Sequence, residues 1–459
     1  MSLLLRNIAA LVPEADARQV RRNVDMFVQD GRVVEIGPNL QVPAAQVVID
    51  ASDCIVYPGL VNTHHHFFQA MVRNRAGLVW PADVLGWIAR IYPVFARLPA
   101  EAFFHASLVS MADLVKHGCT TAFDHQYCFP RGVTGELVDA QFEAAALVGM
   151  RFHAGRGANT LDEARGGVVP DALVESPEAF LRDCERLIGR YHDASPFAMR
   201  RVVVAPCQPA NCTPASFADA AALARAHGVR LHTHLGEGEN EVMRARTGMG
   251  SIDWCEAQGF AGRDVWVAHG WEFEPHELRQ LAASGTGVAH CPMPVFLVGQ
   301  RITDLVGMLD AGVRTGLGVD GQASNDSSNL LECIRSAYLL GTLAAGLYAR
   351  RPPRPAELLH MATAGGADLL GCPELGRLAP GMAADFFAVD VSGIEHASTL
   401  HDPVSLPAKV GCTGPVKLTV IAGRVVWQDG AFTQFDEPTH ARAARAFADS
   451  FEALAPEIR

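Results

Sequence analysis

Short apolar runs recur from Cys54 to Asp320, and longer segments of mixed character separate them. Eight runs read as buried strands: Val56–Thr63, Thr120–Asp124, Arg151–Ala154, Arg201–Ala205, Arg230–His234, Val265–His269, Gly287–His290 and Thr315–Asp320. The segments between them read as helices: Ala102–His117, Leu137–Val148, Pro177–Tyr191, Ser216–Ala226 and Pro275–Ala283. In the last, Leu278, Leu281 and Ala282 recur at helical spacing. Strand–helix alternation builds parallel βαβ units, and eight of them predict an α/β fold, a closed (β/α)8 TIM barrel.

The two ends of the chain follow another pattern. Leu3–Ile8, Val24–Gln29 and Arg32–Ile36 are strand-like, with Asp30-Gly31 as a hairpin turn and Val47–Ile49 as a further strand. The β pattern returns at Ala384–Asp390 and Val416–Trp427, punctuated by Gly423-Arg424 and Asp429-Gly430. Pairing these ends predicts a small β-sandwich of residues 1–57 plus 370–435 beside a barrel of residues 58–369. A C-terminal helix is expected in 436–459.

Composition narrows the function. The chain has 459 residues, 49% of them hydrophobic, which is ample for a large core. Its net charge of −12 gives no electrostatic footprint for nucleic acid or an anionic membrane. No uninterrupted apolar run approaches the roughly 20 residues of a membrane span. Met1–Arg6 lacks the features of a secretory signal, and the eleven cysteines contain no C-x-x-C pair. Reduced thiols and a cytoplasmic location are expected, with Cys54, Cys119, Cys207 and Cys291 in the core. The expected partner is a small-molecule substrate.

The candidate chemistry lies where a barrel demands it, at the C-terminal ends of strands. His64 and His66 are two apart after the first strand, so an extended backbone points both to one side. The fifth strand ends in His232-Thr-His234-Leu-Gly-Glu237, the sixth in His269 and the eighth in Asp320. Metal-competent side chains therefore recur at one end of four strands. His232 shares the parity of His234 and reads as a supporting residue more readily than as a ligand.

Through these and further motifs the chain resembles the amidohydrolase superfamily, in its mononuclear deaminase and aminohydrolase branch. The resemblance rests on Pro58-Gly-Leu-Val-Asn-Thr-His-His-His66, Gly118-Cys-Thr-Thr-Ala122, His234-Leu-Gly-Glu237, the His269 strand, His290-Cys-Pro292, Gly318-Val-Asp320 and the tail Leu375–Asp385. It implies one divalent metal ion on His64, His66, His234 and Asp320, with zinc expected first and iron second. It also implies Glu237 as the acid that protonates a ring nitrogen. His269 would polarise the water that the metal activates, and Asp320 would take that water's proton. Binuclear relatives bridge two ions through a carboxylated lysine on a middle strand. Lys116, Lys409 and Lys417 are the only lysines here and none is so placed.

Such a site fits amine hydrolysis on an aromatic ring. A bound metal lowers the pKa of water from 15.7 to roughly 7, and an acid must neutralise charge on the neighbouring ring nitrogen. Within the branch the motifs resemble hydroxyatrazine ethylaminohydrolases first and 8-oxoguanine deaminases second; a non-enzymatic assembly protein of the same fold is a third reading. Gln69, Trp80, His125, Tyr127 and Arg156 are the candidate substrate contacts, with Trp87 as a further aromatic. Many relatives carry His-Asn-Pro-x-Ser-Asn after the seventh strand, where this chain has His290-Cys-Pro-Met-Pro-Val295. Pro294 and Val295 thus offer an apolar wall suited to an alkylamino group. The resemblance also implies a homo-oligomer.

Overall fold

The computed structural model describes residues 1–42, 44–74, 83–133, 136–299 and 301–454. The chain opens with β1 (Ser2–Leu11), β2 (Arg21–Gln29), β3 (Arg32–Gly37), β4 (Val47–Asp50) and β5 (Cys54–Pro58). Eight strands follow: β6 (Leu60–Asn62), β7 (Cys119–Gln126), β8 (Arg151–Arg156), β9 (Arg200–Val204), β10 (Arg230–Leu235), β11 (Val265–His269), β12 (Gly287–His290) and β13 (Thr315–Leu317). The tail adds β14 (Phe386–Asp390), β15 (Leu418–Ile421), β16 (Arg424–Gln428) and β17 (Ala431–Phe432).

Strands β6 to β13 are parallel and close into a barrel, sealed where Leu317 pairs with Asn62. The remaining strands form a separate mixed sheet in the order β17-β16-β15-β14-β5-β1-β2-β3, with β4 against β1. Both chain ends therefore build one unit, as the sequence pattern predicts. The seam is β5, which runs antiparallel to β14 and parallel to β1. Leu3, Ile8, Met26, Val56, Phe386 and Val420 share its core. The Asp30-Gly31 and Asp429-Gly430 turns have positive φ at both residues, as hairpin turns of this composition require.

One expectation needs correcting. Val56–Thr63 is not a single strand. It breaks at Gly59, with Cys54–Pro58 in the mixed sheet and Leu60–Asn62 in the barrel. A Cβ on Gly59 would lie 2.1 Å from Thr120 Oγ1, so only glycine lets the chain cross there. The Gly59 N–H goes to Asp385 O and the Leu60 N–H to Gly118 O, one bond into each unit. The buried Arg151–Asp385 ion pair, at 3.1 Å, fastens the start of β8 to the same place.

Helices Leu137–Val148 and Pro177–Tyr191 lie where the pattern puts them. Others extend by a few residues to Ala100–Lys116, Pro214–His227 and Pro275–Ser284. Ser176 and Thr213 cap two of these helices through their side-chain oxygens, each followed by proline. The last helix runs Glu437–Leu454. Among the described residues, Leu330–Leu347 is the one helix long and apolar enough to cross a membrane. Half of it is buried inside the protein, as in the core helix of a globular fold.

Candidate metal centre and active site

The ends of β6 and β13 are laced together. Thr63 N–H and Oγ1–H both donate to Leu317 O, Val319 N–H donates to Asn62 Oδ1, and Asp320 N–H donates to His64 O. This lacing sets His64 and His66 opposite Asp320. The last has φ +64, a conformation that a non-glycine residue adopts only under strong local constraint. His65 points elsewhere: its Nε2 meets Ser328 Oγ at 2.8 Å and its Nδ1 accepts the His66 N–H.

The hydrogen bonds assign the imidazole tautomers. His232 Nδ1 donates to Trp266 O at 3.0 Å, so His232 Nε2 is an acceptor. His64 Nδ1 donates to that nitrogen at 2.9 Å. His66 Nδ1 donates to His125 O, and His234 Nδ1 donates to Cys207 O. Every Nε2 of the three is thereby a bare lone pair. Those lone pairs face one another: His66 and His234 Nε2 are 3.0 Å apart. Asp320 Oδ1 lies 3.3 Å from His64 Nε2 and 3.1 Å from His66 Nε2.

Four acceptors at this separation, all buried, repel unless a cation sits among them. His64 Nε2 and Asp320 Oδ1 indeed have no hydrogen-bond partner among the described residues. Separations of 3.0–3.3 Å match the corners of a tetrahedron whose centre lies about 2.0 Å from each donor. The donor set therefore fits a divalent ion. Burial pushes the His64 imidazole down to about 3, which keeps it neutral and able to ligate. Asp320 titrates well below the usual carboxylate range. Burial opposes this, but the close approach of His64 and His66 outweighs it. Its other oxygen, Oδ2, accepts from Ser324 Oγ at 2.7 Å.

Glu237 sits beside this floor on a turn gripped by two further acids. Glu239 accepts the Gly236 and Glu237 N–H groups, and Glu272 accepts that of Gly238. Burial first, and then the charge of Asp320, raise the Glu237 carboxyl well above its ordinary range, which favours its acid form. His269 Nε2 lies 3.2 Å from Glu237 Oε1. Burial drives its pKa down to about 3, and its backbone is held at φ +77.

Above the floor is a small cavity of about 20 Å³, room for roughly one water molecule. Its roof is Val84, Trp87 and Ile88 of helix Val84–Phe95, together with Val298. Tyr127, Gln208 and Ser324 complete the walls. A heterocyclic ring can enter only if this roof moves.

The expected substrate contacts divide. Tyr127 lines the cavity, and its hydroxyl accepts from Tyr92 at 3.3 Å. Trp80 lies outside the described residues. Gln69 is fully buried, and its amide oxygen takes the Ala323 N–H at 3.0 Å. His125 is buried beneath His66 and His234, with Nε2 on Ala205 O. Neither lines the cavity. Arg156 also corrects the expectation: two carboxylates hold its guanidinium, Glu175 at 2.7 and 2.8 Å and Asp183 at 2.7 Å, and Phe129 stacks against it. No donor fork remains to reach a substrate.

The apolar wall is also shifted. Residues Pro292–Leu297 form a short helix in which Val295 is buried and Phe296 and Leu297 face solvent; Val298 is the residue that reaches the cavity. Sequence reasoning missed Gln208 and Ser324. Gln208 stands just beyond the fourth barrel strand, where the strand-end rule applied to it would have found it. Its side chain is 5% exposed and makes no hydrogen bond among the described residues.

A closed parallel barrel with three histidines, an aspartate and a buried glutamate of raised pKa at the strands' C-terminal ends defines a metal-dependent hydrolase. The chain belongs to the amidohydrolase family, whose model matches residues 55–426. It is 56% identical over 438 residues to the hydroxydechloroatrazine ethylaminohydrolase of Pseudomonas sp. (strain ADP), covering 93% of this chain and 91% of that one. It is 40% identical over 384 residues to the 8-oxoguanine deaminase of Pseudomonas aeruginosa, covering 83% and 84%. The fold superposes on a crystal structure of atrazine chlorohydrolase from Arthrobacter aurescens TC1 complexed with zinc. That match has a TM-score of 0.93 at 28% identity and spans 97% of this chain and 100% of the other. The protein is a metal-dependent aminohydrolase, acting on carbon–nitrogen bonds other than peptide bonds.

Proposed function

We propose that the enzyme removes an alkylamino group from a hydroxylated s-triazine, releasing the alkylamine, and does so with a single zinc ion on His64, His66, His234 and Asp320. The observation that carries the substrate is the apolar roof of Val84, Trp87, Ile88 and Val298 over Glu237. Each methylene of an N-alkyl group buried there adds about 0.8 kcal/mol. The name of the relative from Pseudomonas sp. (strain ADP) agrees with this reading.

When bound, the ion supplies a nucleophilic water near neutral pH. Glu237, whose raised pKa favours the acid form, donates to the ring nitrogen beside the carbon under attack, neutralising the charge that builds there. His269 is neutral and stands between Glu237 and the metal ligands, where its free ring nitrogens can orient the attacking water. Asp320 is ionised and would take the water's proton and pass it to the departing amine nitrogen as the ring carbon–nitrogen bond breaks, while Ser324 fixes its orientation from behind. The roof excludes bulk water from the developing charges.

A second reading, a deaminase of 8-oxoguanine or a similar fused ring, is favoured by the unpaired Gln208 amide and the Tyr127 hydroxyl on the same walls. Amine release from N-alkylated hydroxytriazines, 8-oxoguanine, guanine and isoxanthopterin separates the two. Efficient turnover of 8-oxoguanine with no activity on any N-alkylated ring would overturn the triazine reading. Metal analysis should return about one divalent ion per chain, and two tightly held ions would overturn the single-ion reading. We also place the enzyme in the cytoplasm, on the support of eleven free cysteines, ten of them buried. A homo-oligomer is proposed too, because Leu339, Leu343 and Leu347 form an exposed apolar stripe that a second copy would cover.

A further inference from the structure

A second cavity, of about 690 Å³, lies at the other end of the barrel, where β8 and β9 begin. One wall is the mixed sheet and the other is the barrel. Its charge is one-sided. Arg32, Arg200 and Arg424 line it, all exposed, and none makes a side-chain hydrogen bond or ion pair among the described residues. Elsewhere in this acidic chain, Arg186, Arg314 and Arg351 each hold a carboxylate. The cavity's one lining acid, Asp30, is taken by the Met1 amine at 3.0 Å. Buried Arg151 is neutralised by Asp385.

The same cavity holds a strained aromatic. Phe197 has φ +65, which bulky residues rarely adopt. Its surroundings enforce this: its N–H donates to Glu374 Oε1 at 2.9 Å and its carbonyl accepts from Arg151 Nη1 at 2.6 Å. Arg32 stacks on its ring, 4.2 Å from the centroid. Backbone strain held this firmly clusters at active sites, ligand clamps and switch regions. Phe142, Met199 and Val426 supply the apolar part of the lining.

We propose that this cavity is a binding site for an aromatic anion of nucleotide size. Its phosphate or carboxylate groups would be taken by Arg32, Arg200 and Arg424, and its flat body would lie on the apolar wall. Guanidinium forks match phosphate and carboxylate oxygens two at a time. The volume falls within the range of small-molecule sites. Arg32 and Arg424 belong to the mixed sheet, whereas Arg200 and Phe197 belong to the barrel side. A ligand here ties the two units together, and its binding is readable as thermal stabilisation.

The test uses the full-length, metal-loaded enzyme at low ionic strength, titrated calorimetrically and by melting with adenosine 5′-monophosphate, inorganic phosphate and adenosine. Saturable binding of the monophosphate with a raised Tm is expected, with phosphate weaker and adenosine weaker still. The double variant Arg32→Gln/Arg424→Gln should weaken binding about tenfold or more, through loss of charge-assisted hydrogen bonds. Arg279→Gln, at an exposed position outside the cavity lining, should change nothing. Should the double variant fail to fold, Arg424→Gln alone carries the test at an exposed strand position. Three results would overturn the proposal: no saturable binding, binding that the arginine variants leave intact, or phosphate binding as tightly as the nucleotide.

Discussion

The floor and the roof of the catalytic cavity are built by different rules. The floor is polar and comes from strand ends, so each ligand is fixed by backbone that the barrel already holds. Its tautomers are set by a second layer, with His232 and the carbonyls of Trp266, His125 and Cys207 accepting or relaying each Nδ1 proton. The roof is apolar and comes from a helix and a loop; Trp87 Nε1 donates to Ala323 O, the Tyr92 hydroxyl donates to that of Tyr127, and Phe95 packs on Phe68. Changes to the floor should remove chemistry. Changes to the roof should alter which substrate is chosen.

The sharpest test of this division is on the floor. Asp320→Ala should lose both the metal and turnover, measured by metal content and steady-state kinetics. Glu237→Gln should keep the metal and lose at least about 10²-fold in kcat, the scale of a missing general acid. The sign of the pH dependence follows from the raised pKa. The protonated form is the active one, so kcat/KM should fall as pH rises through that elevated value. Loss of that alkaline limb in Glu237→Gln is the check. A wild-type profile with no alkaline limb would assign the acid to another residue.

One step back, His232→Phe should weaken metal affinity about 10- to 100-fold, because His64 Nδ1 loses the acceptor that fixes its tautomer. Competition with a chelator measures it, and an unchanged affinity would confine His232 to packing. On the walls, Gln208→Leu should raise KM about tenfold with kcat nearly unchanged, since its unpaired amide is free to bond substrate. An equal loss in kcat would move Gln208 into the chemistry. The smallest effect is expected at the roof. Val298→Asn should favour free-amino over ethylamino substrates by a few-fold, about 0.8 kcal/mol for each methylene. Val295→Asn should do less, because Val295 does not line the cavity.

The same division decides what the sequence reveals. Floor residues follow local rules: parity puts His64 and His66 on one side, and strand ends carry His234, His269 and Asp320. Those rules need only the neighbouring residues. The roof obeys no local rule, because the inward face of Val84–Phe95 is chosen by what it packs against. Arg156 shows the limit most clearly. Its place at the end of β8 marks it as a substrate contact, yet Glu175 and Asp183, further along the chain, claim its guanidinium. Val56–Thr63 reads as one strand because apolar character continues on both sides of Pro58-Gly59. The break came from Thr120, whose side chain leaves Gly59 no room for a Cβ.

That break at Gly59 has a consequence for biosynthesis. The strand that anchors His64 and His66 follows directly from β5, and β5 lies between β1 and β14. Pro58 pairs with Phe386, so the anchor's partner leaves the ribosome roughly three hundred residues after the histidines do. Closing so long a loop is slow compared with local helix formation. The nascent chain therefore carries His64 and His66 beside a β5 that has β1 but not yet β14 for most of its synthesis. Removing the tail strands should therefore lower the metal content of the purified protein, although none of them contributes a ligand.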